Sequence, residues 1–204
     1  MTRLLLLRHA HVDWIAPERF RGRADLPLSD QGRRQLAPTA NRVKSSVRPA
    51  AVYTSPMSRC VETAQAIAAP FGLPTRPIAG LNDIDYGRWQ GLTREEVRAR
   101  WPAELANWFH QPHLALLPGG ESLAEVQARL LAALGTIVRE HRDDAVVLVG
   151  HDSVNRVLLL CALDLALSHY WKIRQDPCAV SELEYDDGDL RPRSINETWH
   201  LAGA

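Results

Sequence analysis

The sequence predicts a layered α/β fold with a largely parallel sheet. Three observations predict it: short apolar runs that stop at charge, helical patterns directly behind them, and helix-start signals at the joins. Leu4–Leu7 is the first run, ending at Arg8 as a strand buried on both faces would. Ala51–Thr54 is a weaker run of the same kind. Behind it, Ser55-Pro56 reads as a helix N-cap with proline at the first helical position, and Met57, Val61, Ala64 and Ala68 keep helical spacing. The stretch from about 80 to 120 is rich in Trp, Pro, Gly and His and reads as an excursion over the sheet edge. Thr93 and Glu96 have capping-box spacing there, ahead of a short helix. Ser122 and Glu125 repeat that spacing. They open a helix with Leu123, Val126, Leu130, Leu134, Ile137 and Val138 on one face. Ala145–Val149 is a strong strand, and Val154, Val157, Leu158 and Cys161 place a helix straight after it. Val180–Tyr185 and Arg193–His200 add one or two edge strands, with a hairpin around Asp186-Asp187-Gly188.

Composition narrows the function classes. At 204 residues the chain is expected to be one domain, 1–204, with the excursion as its irregular part. Apolar residues make up 46% and charged residues 24%, which excludes disorder, collagen and coiled coil as the main state. Lys+Arg and Asp+Glu both number 24, so the formal net charge is zero, and no nucleic-acid or membrane partner is expected. Lys44 and Lys172 are the only lysines, and the arginines that carry the remaining positive charge are suited to phosphate forks. Cys60, Cys161 and Cys178 are odd in number and far apart, which argues against a disulfide framework or a zinc site. No segment reaches the length of a membrane span or a signal-peptide core. The expectation is a soluble cytoplasmic protein, with a homodimer compatible with it.

Ligands of open α/β sheets bind at the carboxyl ends of the strands. Arg8 and His9 follow Leu4–Leu7, Ser55 and Arg59 follow Ala51–Thr54, and Gly150 and His151 follow Ala145–Val149. Two guanidiniums, two imidazoles and helix N-termini at one rim describe a phosphate pocket. Any one of these histidines alone reads as structural or surface. Three strand ends that each carry such a group do not.

At this point the residues carry a resemblance. Arg8-His9-Ala10 resembles the Arg-His-Gly signature of the histidine phosphatase superfamily, phosphoglycerate-mutase-like branch, of α-ribazole phosphatase or broad-specificity phosphatase type. Phe20–Gly32 (FRGRADLPLSDQG), Tyr53–Ala64 (YTSPMSRCVETA), Leu81–Gly91 (LNDIDYGRWQG), Pro118–Ser122 (PGGES) and Val149–Arg156 (VGHDSVNR) resemble further family segments, in order along nearly the whole chain. The resemblance implies a three-layer sandwich with helices flanking the central sheet. It implies a metal-independent phosphomonoesterase with no cofactor, acting on a small phosphorylated metabolite. His9 would attack phosphorus and carry a phosphohistidine, its ring aimed by a bond to a backbone carbonyl. Arg8, Arg59 and His151 would grip the equatorial oxygens. Arg21, Gly22, Tyr86 and Asp152 would lie on the substrate side.

The proton donor is the position in question. The family usually has Glu four residues before the glycine of the Leu81–Gly91 segment, and here that position is Asp83. Asp83 ranks first for the acid, Asp152 second and Asp85 third. Ala10 stands in place of Gly, which a small residue tolerates unless φ must be positive. His11 reads as a rim residue, Ile15 stands where a phosphate-contacting Asn is common, and Pro38 is expected to kink the first helix. Trp89 or Trp108 is a candidate apolar wall for the leaving group. The Trp101–Gly120 loop holds neither Lys nor Arg, so cations are expected only at the phosphoryl end, an arrangement that favours hydrolysis over mutase chemistry. The alternatives are a cofactor-dependent phosphoglycerate mutase, a non-catalytic phosphate-binding module, and a phosphohistidine protein phosphatase, a subgroup whose members are shorter. Within the phosphatase reading, α-ribazole phosphate, phosphoglycerate and sugar phosphates all remain open.

Overall fold

A computed structural model describes residues 1–15 and 18–203. Thr2–Arg8 forms β1, Ala51–Thr54 β2, Thr75–Pro77 β3, Ala145–Gly150 β4, Val180–Asp186 β5 and Asp189–Glu197 β6. They make one sheet in the order β3-β2-β4-β1-β5-β6. The first four are mutually parallel, and β5 and β6 are antiparallel. The helices are α1 (Asp30–Ser46), α2 (Ser58–Ala68), α3 (Arg94–Arg100), α4 (Pro102–His110), α5 (Leu123–Glu140) and α6 (Asp152–Ala162).

Side-chain alternation divides the sheet between two cores. Leu4, Leu6, Tyr53, Val146 and Leu148 face one side, where the apolar stripe of α5 and the Val154, Val157 and Leu158 face of α6 cover them. Leu5, Leu7, Val52, Val147 and Val149 face the other, beneath Val43 of α1 and Cys60, Ala64 and Ile67 of α2. The inner parallel strands β1, β2 and β4 are therefore apolar along most of their length, because helices cover both faces. Full burial of one such side chain contributes ~1.5–3 kcal/mol relative to exposure. This is the layered α/β fold that the sequence predicts, in the three-layer form that the resemblance implies.

Both capping boxes form. Thr93 accepts from the Glu96 amide and Ser122 from the Glu125 amide, with each glutamate returning the bond. The hairpin turn lies at Asp187-Gly188, where φ is 46° and 94°, the left-handed pair a two-residue β turn needs. Its second strand begins at Asp189, earlier than the sequence pattern placed it.

Several expectations are corrected. Ser55-Pro56 does not start α2, whose N-cap is Met57 with no side-chain cap bond. Ser55 is occupied elsewhere, as described below. Trp89 and Trp108 are 0% and 1% exposed and sit in the core, so neither walls the cavity described below. β3 was not anticipated: it is short, ends in proline and lies at the sheet edge.

Candidate active site

Register brings the three predicted strand ends together. Arg8 pairs with Gly150 across β1 and β4, the His9 amide donates to the Gly150 carbonyl at 3.0 Å, and the Ser55 amide donates to the Val149 carbonyl at 3.0 Å. α2 then supplies Arg59 in its first turn, and α6 starts directly behind His151. Arg8, His9, Arg59, Asp83 and His151 are all buried, with Arg59 and His151 fully so.

The His9 Nδ1 lies 2.7 Å from the Ala10 carbonyl. A carbonyl only accepts, so Nδ1 carries the hydrogen and Nε2 keeps the lone pair. Burial, with Arg59, His151 and Arg8 adding to it, holds His9 well below the usual histidine range. His151 is lowered in the same way, first by burial and then by Arg59 and Arg8. Both rings are therefore neutral at pH 7, and they meet edge-to-face with centroids 5.2 Å apart. The His151 Nε2 lies 2.9 Å from the Ser55 hydroxyl, which donates onward to Asn82 Oδ1 at 3.1 Å. Nε2–H is thus the donor to Ser55, and Nδ1 faces Asp83 Oδ2 at 3.7 Å.

Arg59 is anchored by the Ala24 carbonyl at 2.7 Å and the Gly22 carbonyl at 2.9 Å, and its Nη2 lies 3.4 Å from Asp83 Oδ2. Arg8 donates to the Gln175 carbonyl at 2.6 Å. The Nε–H groups of Arg8 and Arg59 are buried with no hydrogen-bond partner among the described residues. Leaving a buried donor unpaired costs ~1–3 kcal/mol, so two such groups in one site suit an acceptor-rich anion. Gly22 has φ +47°, and a Cβ there would lie 3.0 Å from both the Ile84 carbonyl and the Tyr86 ring. The loop can therefore lean on the acid segment only without a side chain.

The three candidate acids separate by environment. Asp83 stands among Arg59, His151 and Ser153. Asp85 accepts from the Gly87 amide at 2.8 Å and serves its own turn. Asp152 accepts from Arg156 at 2.5 Å, one helical turn along α6.

A cavity of about 150 Å³ opens from Asp83 outward. Arg21, Tyr86 and Asp152 line it, while Gly22 does not. Phe20, Phe109 and Trp171 form its apolar wall in place of Trp89 and Trp108. The excursion reaches it with Tyr86, Arg94 and Phe109. Arg19, Arg94 and Arg156 also line it, which corrects the expectation that cations sit only at the phosphoryl end. The Arg94 guanidinium lies over Phe109, 4.0 Å from the ring centre, and Arg156 lies over Trp171 at 5.0 Å. These arginines escaped the sequence reading because they come from three separate segments. The i, i+4 spacing of Asp152 and Arg156 was the one local signal.

Among the other departures, Ala10 is buried and has no positive φ, so a methyl group fits there. His11 does not line the cavity: its Nδ1 lies 2.8 Å from the hydroxyl of Ser29, the N-cap of α1. Ile15 packs against an apolar cluster of Ala10, Val12, Leu28 and Cys178. Among the described residues, no group of three or more His, Cys, Asp or Glu side chains is placed to hold a metal ion.

A parallel sheet whose strand ends close around two neutral imidazoles and two guanidiniums defines an enzyme of phosphoryl transfer. The sequence profile of the histidine phosphatase superfamily, branch 1, matches residues 4–198. The chain belongs to that superfamily, and it is a phosphatase. It is 31% identical over 204 residues to phosphoserine phosphatase 1 of Hydrogenobacter thermophilus, covering 98% of this chain and 95% of that protein. It is 31% identical over 167 residues to the 2,3-bisphosphoglycerate-dependent phosphoglycerate mutase of Brucella ovis, covering 79% of this chain and 81% of that one. Among solved structures, Bacillus stearothermophilus YhfR superposes with a TM-score of 0.93 at 30% identity, covering 98% of this chain and all of its own.

Proposed function

We propose that the chain hydrolyses small phosphorylated metabolites through a phosphohistidine on His9, with the whole chain acting as one catalytic domain. One observation carries the mechanism: His9 is neutral, its Nδ1 is tied to a carbonyl, and its Nε2 is left as the nucleophile beside Arg59 and His151. Nε2 attacks phosphorus and the ester P–O bond breaks. Asp83 gives its proton to the departing oxygen. Water then attacks the phosphohistidine, Asp83 takes a proton from it, the P–N bond breaks, and phosphate leaves. Arg8 and Arg59 hold the equatorial oxygens, where charge spreads in the transition state, and His151 joins them by turning its Nε2–H from Ser55 to the phosphoryl group. No step calls on a metal.

Arg21, Tyr86 and Asp152 border the space for the leaving group, and Gly22 shapes the loop beneath it. The arginines farther out suit a leaving group with its own carboxylate, a reading that the phosphoserine phosphatase relative supports. The same arginines keep a phosphoglycerate mutase as the second reading, since a mutase must hold a second anionic end. Phosphate release from a metabolite panel, with product analysis on 3-phosphoglycerate plus catalytic 2,3-bisphosphoglycerate, separates them. Free phosphate is expected to outrun 2-phosphoglycerate, and the reverse would establish the mutase.

No helix of the described residues is long and apolar enough to cross a membrane. The cytoplasmic setting rests on three unpaired cysteines. A homodimer is part of the same proposal and is tested by sedimentation.

A further inference from the structure

We propose that Ser153 is the positioning residue of the proton donor, fixing which oxygen of Asp83 carries the proton. The proposal rests on the reading of Asp83 as the general acid. The two carboxyl oxygens have different surroundings. Oδ1 lies 2.5 Å from the Ser153 hydroxyl and 2.9 Å from the Ile84 amide. Oδ2 faces Arg59 Nη2 at 3.4 Å and His151 Nδ1 at 3.7 Å.

The direction of the Ser153 bond follows from counting donors. The Ile84 amide also lies 3.1 Å from the Ser153 oxygen. An amide N–H only donates, so the Ser153 oxygen accepts there and its own hydrogen is free to point at Oδ1. Oδ1 then receives two donors, one of them a hydroxyl, and Oδ2 is the oxygen left to bear the acid proton, on the side of the nucleophile. The backbone beneath is held as well, since the Asp83 carbonyl accepts from Arg23 at 2.8 Å and Arg129 at 3.1 Å. Rotation of the carboxyl about its own side chain is the remaining freedom, and Ser153 removes it. Both residues are buried, at 2% and 6% exposure, so water does not compete for the bond.

The arrangement fits an acid with a short side chain. Asp83 cannot reach as far as a glutamate, and its aim depends on a partner close to its own backbone. Ser153 is the second residue of α6, the helix that begins directly behind His151. One helix start thus sets both the imidazole and the acid.

The test compares an alkyl phosphate with p-nitrophenyl phosphate, whose leaving group needs no proton. Ser153→Ala should lose roughly tenfold or more in kcat on the alkyl ester, at the low end of what general acid catalysis contributes. On the aryl ester it should lose little. Ser153→Thr, which keeps the hydroxyl, should restore the alkyl rate, and Ser153→Ala added to Asp83→Asn should change the alkyl-to-aryl ratio no further. Equal losses on both esters, or no rescue of the alkyl rate by Ser153→Thr, would show Ser153 to be structural only and overturn the proposal. If Asp83→Asn shows no alkyl-selective loss, the acid assignment itself fails and the proposal falls with it.

Discussion

Asp83 and His9 divide the chemistry of one small volume, and each is set by what lies within a few ångströms. Asp83→Asn is expected to slow alkyl phosphates ~10²–10⁴-fold while p-nitrophenyl phosphate loses far less, measured as kcat on the two esters. A larger alkyl-selective loss in Asp152→Asn would move the role to Asp152, whose carboxylate is engaged by Arg156. Arg59 is fully buried and anchored by two carbonyls before any substrate arrives, so its contribution belongs to the transition state. Arg59→Ala should cost ~10²–10³-fold in kcat, and a change confined to KM would contradict that. Arg94 lines the cavity with its guanidinium over Phe109. Arg94→Ala should raise KM for a carboxylate-bearing ester such as phosphoserine more than for p-nitrophenyl phosphate, in steady-state kinetics. His9, Arg59 and His151 were legible in the sequence because each sits in a short local motif behind a strand. Ser153 and the outer arginines were not. The Ser153–Asp83 bond joins residues 70 positions apart, and only the packing of α6 against the acid segment makes it.

At the scale of elements, local chemistry was legible wherever a helix start needs only its own first turn. The boxes at Thr93–Glu96 and Ser122–Glu125 satisfy amides that would otherwise be unpaired, and both helices begin where the spacing placed them. Ser122→Ala should therefore cost ~1 kcal/mol of stability, read from denaturant midpoints at unchanged slope. Ser55-Pro56 carried the same kind of signal and failed, because the site recruits the Ser55 hydroxyl for His151 and Asn82. Tertiary demand overrode a local preference. β3 escaped notice for the opposite reason, since a short edge strand ending in proline has no periodicity to detect. The excursion was visible as a change in composition, but its contribution of Tyr86, Arg94 and Phe109 to the cavity depends on how α3 and α4 fold back.

For the whole molecule, the layered fold was legible because apolar strands between helices leave few other arrangements. Its acid stability follows from the site at its centre. His9 and His151 are held neutral by burial and by nearby arginines, so their folded pKa values lie below the unfolded value near 6.5. Below about pH 6.5 the unfolded chain binds protons that the folded chain refuses, and stability falls from there as pH drops. Thermal melting should show Tm declining below that pH, with the decline smaller in His9→Asn. A Tm that holds level to pH 5 would contradict the buried, neutral pair. The central claim is that phosphate passes through His9, and trapping the intermediate tests it most directly. Labelled monoester is mixed with enzyme, quenched in alkali within milliseconds, and the labelled peptide is mapped. The expected result is an acid-labile, alkali-stable phosphoryl group on Nε2 of His9, formed at least as fast as turnover and decaying to free phosphate. Label on another residue, or full activity in His9→Ala with no trapped phosphoenzyme, would contradict it.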